Sequence, residues 1–231
     1  MLGGGAAISG TPGGGIAMRL SAVIKVGGSL SRGLGLPALC GEISRLGVTY
    51  PLLLVPGGGD FADQVREVAR RFDVGNTAAH WMALLAMDQY GFLLNQLIPE
   101  SCLTADIAYA CESAGTGRVS ILLPFALMMK EDPLPHSWDV TSDTIAAWVS
   151  HRTASSRLVL LKDVDGLFVP GGVTKDITVE DLKSHAGGVD VYLANFLTQA
   201  SIETWVINGL RPERLAELLN TGRTTGTKII P

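Results

Sequence analysis

Ala22-Val23-Ile24-Lys25-Val26-Gly27-Gly28-Ser29 is the stretch around which the rest of the chain organises. A short apolar run goes straight into two glycines and carries one lysine. It predicts a buried β-strand over 22–26 that ends in a tight turn. A lysine two residues before Gly-Gly sets an ammonium beside free backbone amides. Glycine lets that backbone approach an anion closely, and successive amides form an anion nest. Phosphate is the natural guest. The GxxxxGK[ST] pattern is absent, so this is not a P-loop. Taken alone, the stretch reads equally well as a turn with a solvated lysine.

Downstream of it, short apolar runs alternate with helical patterns. A helix is predicted over 37–46, with Pro37 near its first turn. Leu52-Leu53-Leu54-Val55 reads as a strand buried on both faces. Helices follow over 60–72 and 77–97. In the first, Phe61, Val65, Val68 and Phe72 share one face of a 3.6-residue period. Further strands are expected over 119–123, 158–161, 204–207 and 226–230. Further helices are expected over 141–153, 179–185, 190–200 and 211–219, with a loop over 131–140 and a turn-rich stretch over 170–175. Such alternation predicts an α/β fold, a three-layer αβα sandwich around a mainly parallel sheet. Ligands of such sheets sit where strands end and loops begin.

Composition narrows the possibilities. The chain has 231 residues, 47% of them hydrophobic and 17% charged, with a net charge of −4. This describes a globular protein with a substantial core, without the basic footprint of a nucleic-acid binder. Three cysteines without a CxxC spacing argue against a disulfide framework or a zinc site and for a reducing compartment. The four histidines have no metal-ligand spacing. The apolar stretch over 81–97 is interrupted by Asp88, Gln89 and Asn95, which favours a core helix over a membrane span. Residues 1–17 read as a disordered Gly-rich leader without signal-peptide features. The expected location is cytoplasmic, with a single domain over 18–231.

Four further clusters fall at expected strand ends. Gly57-Gly58-Gly59, before a helix, fits an anion held at a helix N-terminus better than a dinucleotide fingerprint, because a second helix stands where that fingerprint needs a strand. Thr141-Ser142-Asp143-Thr144 reads as a helix N-cap, or as a carboxylate that holds lysine ammonium groups. Lys162-Asp163-Val164-Asp165-Gly166 offers carboxylates for ribose hydroxyls or a base, or an ordinary turn. Gly226-Thr227-Lys228-Ile229 is a second glycine-lysine element. His136, in the loop before Thr141, is the histidine nearest these clusters in sequence.

In this order, the five motifs resemble the amino acid kinase family: K-x-G-G-S at Lys25–Ser29, G-G-G at 57–59, the helix-opening Asp143, D-V-D-G at 163–166 and G-T-x-I at 226–229. The resemblance spans about 22–230. Within the family it is closer to a subgroup that includes enzymes acting on aminomethyl-furanmethanol phosphate in methanofuran synthesis. That likeness rests on Phe61-Ala62, His80, Met87-Asp88, His136-Ser137-Trp138, Asn208-Gly209 and Pro212-Glu213-Arg214. The chain departs from the family at Lys162, where threonine is frequent.

The resemblance implies an ATP-dependent small-molecule kinase using Mg²⁺, with a small phosphorylated acceptor that becomes a diphosphate. It implies an acceptor lobe over about 18–155, a nucleotide lobe over about 156–231 and a homodimer or larger homo-oligomer. It assigns Lys25, Asp143 and Lys228 to catalysis, with Asp143 orienting both lysines. Gly27, Gly28 and Ser29 would bind the transferred phosphate, and Gly57, Gly58, Gly59 and His136 the acceptor. Lys162, Asp163, Asp165, Gly166 and Lys175 would bind the nucleotide. The competing expectations are a kinase of isopentenyl phosphate, a carboxylate or a nucleotide, and a non-catalytic nucleotide-binding sensor.

Overall fold

A computed structural model describes residues 19–185 and 187–230. The expected leader over 1–17 lies outside the described residues. The chain runs β1 (Ala22–Val26), α1 (Leu36–Gly47), β2 (Leu52–Pro56), α2 (Gly59–Phe72), α3 (Asn76–Leu97), β3 (Cys102–Thr104), α4 (Ile107–Gly115), β4 (Ser120–Leu122) and α5 (Pro124–Glu131). It continues through α6 (Ser142–Arg152), β5 (Leu158–Lys162), a small hairpin of β6 (Phe168–Val169) and β7 (Gly172–Val173), β8 (Asp176–Thr178) and α7 (Val179–His185). The last elements are α8 (Val191–Gln199), β9 (Thr204–Asn208), α9 (Glu213–Thr221) and β10 (Thr227–Ile230).

Eight strands form one sheet in the order β3-β4-β2-β1-β5-β9-β10-β8. Every neighbouring pair is parallel except β9 with β10. From β1 the chain passes to β2, on to the edge strand β3 and back to β4, which lies between β2 and β3. It then returns through α6 to β5, on the other side of β1, and winds the opposite way. The strand order therefore reverses between β1 and β5, and the crevice beyond their carboxyl ends is where such sheets take ligands.

Two apolar layers cover the sheet. Val23, Leu158, Leu160, Val206 and Ile229 face α6, α7 and α8. Ala22, Ile24, Val159, Trp205 and Ile207 face α1 and α9. The long helix α3 serves both layers, through Leu84 and Met87 in one and Tyr90 and Leu94 in the other. It is apolar around most of its circumference, as a helix wedged into a core must be. None of the described helices is long and apolar enough to cross a membrane.

The main departures from expectation lie in 98–131 and in 168–178. Strands β3, β6, β7 and β8 have two or three residues each, too few for alternation to show. Helix α5 begins directly on Pro124 at its first turn. Its cap comes from another element: the Asp88 carboxylate of α3 accepts the Phe125 amide at 3.2 Å. Asp88 is half-buried, and that burial raises its carboxyl from 3.8 to about 6, opposed by the Phe125 amide. Between those values the folded chain binds more protons than the unfolded one, so stability falls as pH rises through the interval. Asp88→Asn keeps an acceptor for Phe125 without the buried charge. We expect denaturant unfolding to show this variant more stable than wild type at pH 7.5, with the difference gone below about pH 4. An equal difference at both pH values would refute the assignment.

Candidate active site

Alternation along adjacent strands builds the site. On β1, Val23 faces the α6 side, so Lys25 two residues on faces it too. On β5, Leu158 and Leu160 face the same side, so Lys162 follows them. Register pairs Lys25 with Leu160, which sets Lys162 one alternation further toward the strand ends. Helix α6 lies over β1, β2 and β5, and its first turn carries Asp143. One carboxylate thus meets two ammonium groups from neighbouring strands. Lys25 Nζ is 2.8 Å from Asp143 Oδ1, and Lys162 Nζ is 2.5 Å from Oδ2.

This cluster is deeply buried: Lys25 is 5% exposed and Asp143 2%. Burial pushes the Asp143 carboxyl upward, but the charges and hydrogen bonds of Lys25 and Lys162 outweigh it and hold the group well below the usual carboxylate range. Burial lowers the Lys25 ammonium, and Asp143 opposes that shift. Two ammonium groups against one carboxylate leave an excess of positive charge at the cavity floor. Buried charge is costly until an opposite charge meets it, so the floor favours an anion.

The cavity above has a volume of about 340 Å³. Beside the lysines, two glycine turns meet backbone to backbone. A Cβ on Gly28 would stand 2.2 Å from the Gly59 nitrogen, one on Gly57 2.7 Å from the Gly28 nitrogen, and one on Gly27 2.4 Å from the Leu161 carbonyl oxygen. Gly59 also has φ +54°, in the left-handed region. Only glycine permits this closeness, which brings the turn after β1 against the N-terminus of α2. Gly27, Gly28, Ser29, Gly58 and Gly59 line the cavity.

The rest of the lining is charged and aromatic. Four cationic side chains line the cavity, Lys25, Arg32, Arg66 and Lys162, against two carboxylates, Asp63 and Asp143. Asp63 pairs with both Arg32 and Arg66, Arg32 also pairs with Asp60 at 2.6 Å so that two carboxylates balance the two arginines, and Arg66 lies 5.0 Å over the Trp138 ring. His80, Ala83, Leu84 and Met87 present one face of α3 to the cavity. Burial first, and His136 second, push His80 down to about 4, so its ring is neutral at pH 7.

Several expected site residues sit elsewhere. His136 backs the wall instead of lining it. Its ring stacks on His80 at 4.5 Å, Nε2 meets Asp132 Oδ1 at 2.8 Å and Nδ1 meets Thr77 Oγ1 at 3.1 Å. Those partners engage both of its nitrogens, and His80 is the histidine that reaches the cavity. Its signal was present in the sequence, since 80, 83, 84 and 87 follow the helical i, i+3, i+4, i+7 spacing. Gly57 packs against Gly28 behind the lining.

Lys228 does not pair with Asp143. Ile229 faces the α6 side, so Lys228 faces the other, and its ammonium lies 5.7 Å over the Trp205 ring. Lys162 takes the place expected of Lys228. Asp163, Asp165 and Lys175 are exposed and, with Gly166, lie outside the cavity lining. Asp165 Oδ1 accepts from Asn208 and Arg214, at 2.9 and 2.7 Å. Gly166 packs on Thr227, whose hydroxyl accepts the Leu167 amide at 2.8 Å. The Lys175 carbonyl accepts the Lys228 amide at 2.8 Å. These residues gather along β5, β9 and β10.

No cluster of three or more metal-ligating side chains occurs among the described residues. Mg²⁺ fits this site as an ion carried on nucleotide phosphates and water, the mode it commonly adopts beside phosphates.

Comparison with known proteins accords with this geometry. The [5-(aminomethyl)furan-3-yl]methyl phosphate kinase of Methanocaldococcus jannaschii is 28% identical over 184 residues, 78% of this chain and 83% of that protein. Among solved structures, the uridylate kinase of Archaeoglobus fulgidus superposes with a TM-score of 0.74 at 21% identity, over 91% of this chain and all of that one. The UMP kinase of Ureaplasma parvum gives 0.73 at 18% identity, over 92% of this chain and all of that one. At such identities these two structures establish the fold alone. The model of the amino acid kinase family matches residues 21–208, and the chain belongs to that family.

Proposed function

We propose that this kinase transfers the γ-phosphoryl group of ATP to a small acceptor that is already a phosphate monoester, forming a diphosphate, and that the acceptor is [5-(aminomethyl)furan-3-yl]methyl phosphate. The observation that carries the reading is the Lys25–Asp143–Lys162 cluster at the floor of a cavity whose wall also carries Arg32 and Arg66. Cations at the floor suit the phosphoryl group in transfer, and the guanidinium groups of Arg32 and Arg66, held by Asp60 and Asp63, offer donors to an acceptor that is itself anionic. The M. jannaschii relative supplies the specific acceptor.

The chemistry needs few protein groups. An oxygen of the acceptor phosphate attacks the γ-phosphorus, and the bond to the ADP oxygen breaks. A phosphate oxygen is already anionic at neutral pH, so no general base is required. Phosphoryl transfer rests on positioning and on stabilising charge on the transferred oxygens. Lys25 and Lys162 supply that charge from opposite sides of Asp143, which holds Lys25 by an ion pair and Lys162 by a charge-assisted hydrogen bond. The amides of Gly28 and Ser29 receive the transferred phosphoryl oxygens, whereas the Gly27 amide, also expected there, already donates to the Leu161 carbonyl at 2.9 Å. Mg²⁺, when bound with ATP, neutralises the donor phosphates.

The acceptor phosphate is assigned to the N-terminus of α2 at Gly58 and Gly59, with Arg32 and Arg66 beside it. Its flat body lies between Trp138 and His80. ATP is assigned to the 156–230 side, next to Lys162.

Incubation with ATP, Mg²⁺ and the furan monophosphate is expected to yield the diphosphate, with a higher kcat/KM than for UMP or isopentenyl phosphate. Faster turnover of either rival would overturn the acceptor assignment. ATP binding without turnover of any acceptor would point to a sensor instead. Lys25→Ala is expected to lower kcat by about 10²–10³. It leaves Asp143 paired with Lys162, so the chain should still fold. Near-normal turnover in that variant would refute the mechanism.

A further inference from the structure

The carboxylate that makes the site is not the one that caps its helix. Asp143 is the second residue of α6, and its side chain is a good acceptor for the free amides of a helix N-terminus. Thr141, at the N-cap position, makes no side-chain cap bond either. The work falls to Asp190, which opens α8. Its Oδ2 accepts the Thr141 amide at 3.0 Å, the Thr141 hydroxyl at 2.9 Å and the Thr144 amide at 2.9 Å. Its Oδ1 accepts the Thr144 hydroxyl at 2.5 Å and the amide of Leu193, in its own helix, at 2.9 Å.

One carboxylate therefore fills the third amide of two helices at once. Asp190 is 9% exposed, and Thr144 is fully buried. A second link runs beside it, from the Tyr192 amide to the Asp139 carbonyl at 3.0 Å. The start of α8 thus clamps the segment on which Asp143 is mounted.

We propose that Asp190 is a positioning residue for phosphoryl transfer: by capping α6 from α8, it leaves Asp143 free to hold Lys25 and Lys162. Without Asp190, the amides of the first turn of α6 lose their acceptor. Asp143 is the carboxylate nearest in the chain, and turning toward those amides draws it away from the lysines. The two ammonium groups then lose the geometry they hold for the transferred phosphoryl group. This inference rests on the kinase reading and not on the identity of the acceptor.

The test compares Asp190→Asn and Asp190→Ala with Asp106→Ala. Asp106 caps α4 through one bond, to the Tyr109 amide at 2.9 Å, and has no part in the site. With ATP and the furan monophosphate, Asp190→Ala is expected to lose about 10²-fold in kcat with little change in either KM, and Asp190→Asn, which keeps one oxygen for the amides, to lose less. Asp106→Ala should keep the wild-type kcat. In an Asp143→Asn background, Asp190→Asn should cost little more, because the two residues act on one arrangement.

A crystal structure of Asp190→Ala supplies a readout that needs no acceptor. Asp143 is expected to have left at least one of the two lysines. Asp143 still within 3 Å of both ammonium groups, or losses in kcat no greater than in Asp106→Ala, would overturn the proposal. If wild type does not phosphorylate the furan monophosphate, the acceptor assignment fails, and the crystal structure alone decides the role of Asp190.

Discussion

The sharing of Asp143 by two lysines from adjacent parallel strands is the interaction on which the rest depends. It sits where the strand order reverses, above the carboxyl ends of β1 and β5. Parallel neighbours with matched alternation must present side chains from one face at one end of the sheet. A helix crossing that face can then bring a single carboxylate to both. The family architecture delivers this convergence without a long loop, and strands are stiffer mounts than loops for groups that must hold a fixed geometry.

Such a cluster is a poor device for stability. Two buried cations and one anion are costly to desolvate, and apolar residues of similar volume would serve the fold at least as well. Its physical sense lies in what it lacks. The floor of the cavity carries unmatched positive charge beside the turn after β1, which packs against β5 and the N-terminus of α2 because Gly27 and Gly28 have no side chains. A phosphoryl group provides the missing charge. The nearby Asp190 does not, because five donors from two helices already engage its oxygens. The two aspartates have divided the work, one holding helices and the other holding lysines.

Much of this was legible before the structure. Lys25, the two glycine turns and Asp143 were legible as an ordered set, although singly the first read equally well as a turn with a solvated lysine and Asp143 as an ordinary helix cap. The αβα class followed from alternation of apolar runs with helical patterns. The second lysine was not legible. Lys162 ends an unbroken apolar run, Leu158-Val159-Leu160-Leu161, in which no alternation shows which face it takes. Lys228 lies in a glycine-lysine element that looks like the first one, yet the register of β10 turns it to the other face. His136 was expected to hold the acceptor, whereas contacts from Asp132, Thr77 and His80 bind it behind the wall. Capping of α6 and α5 by Asp190 and Asp88 was invisible for a common reason. Each cap comes from an element remote in sequence, and local cap rules examine neighbours only.

The central claim is that Lys162, and not Lys228, completes the phosphoryl-transfer site with Lys25. Single-turnover rates of Lys162→Met and Lys228→Met, measured side by side with ATP and the furan monophosphate, test it most directly. The account predicts that Lys162→Met loses about 10²–10³ in rate and that Lys228→Met loses far less. A larger loss in Lys228→Met, or near-wild-type transfer in Lys162→Met, would contradict it.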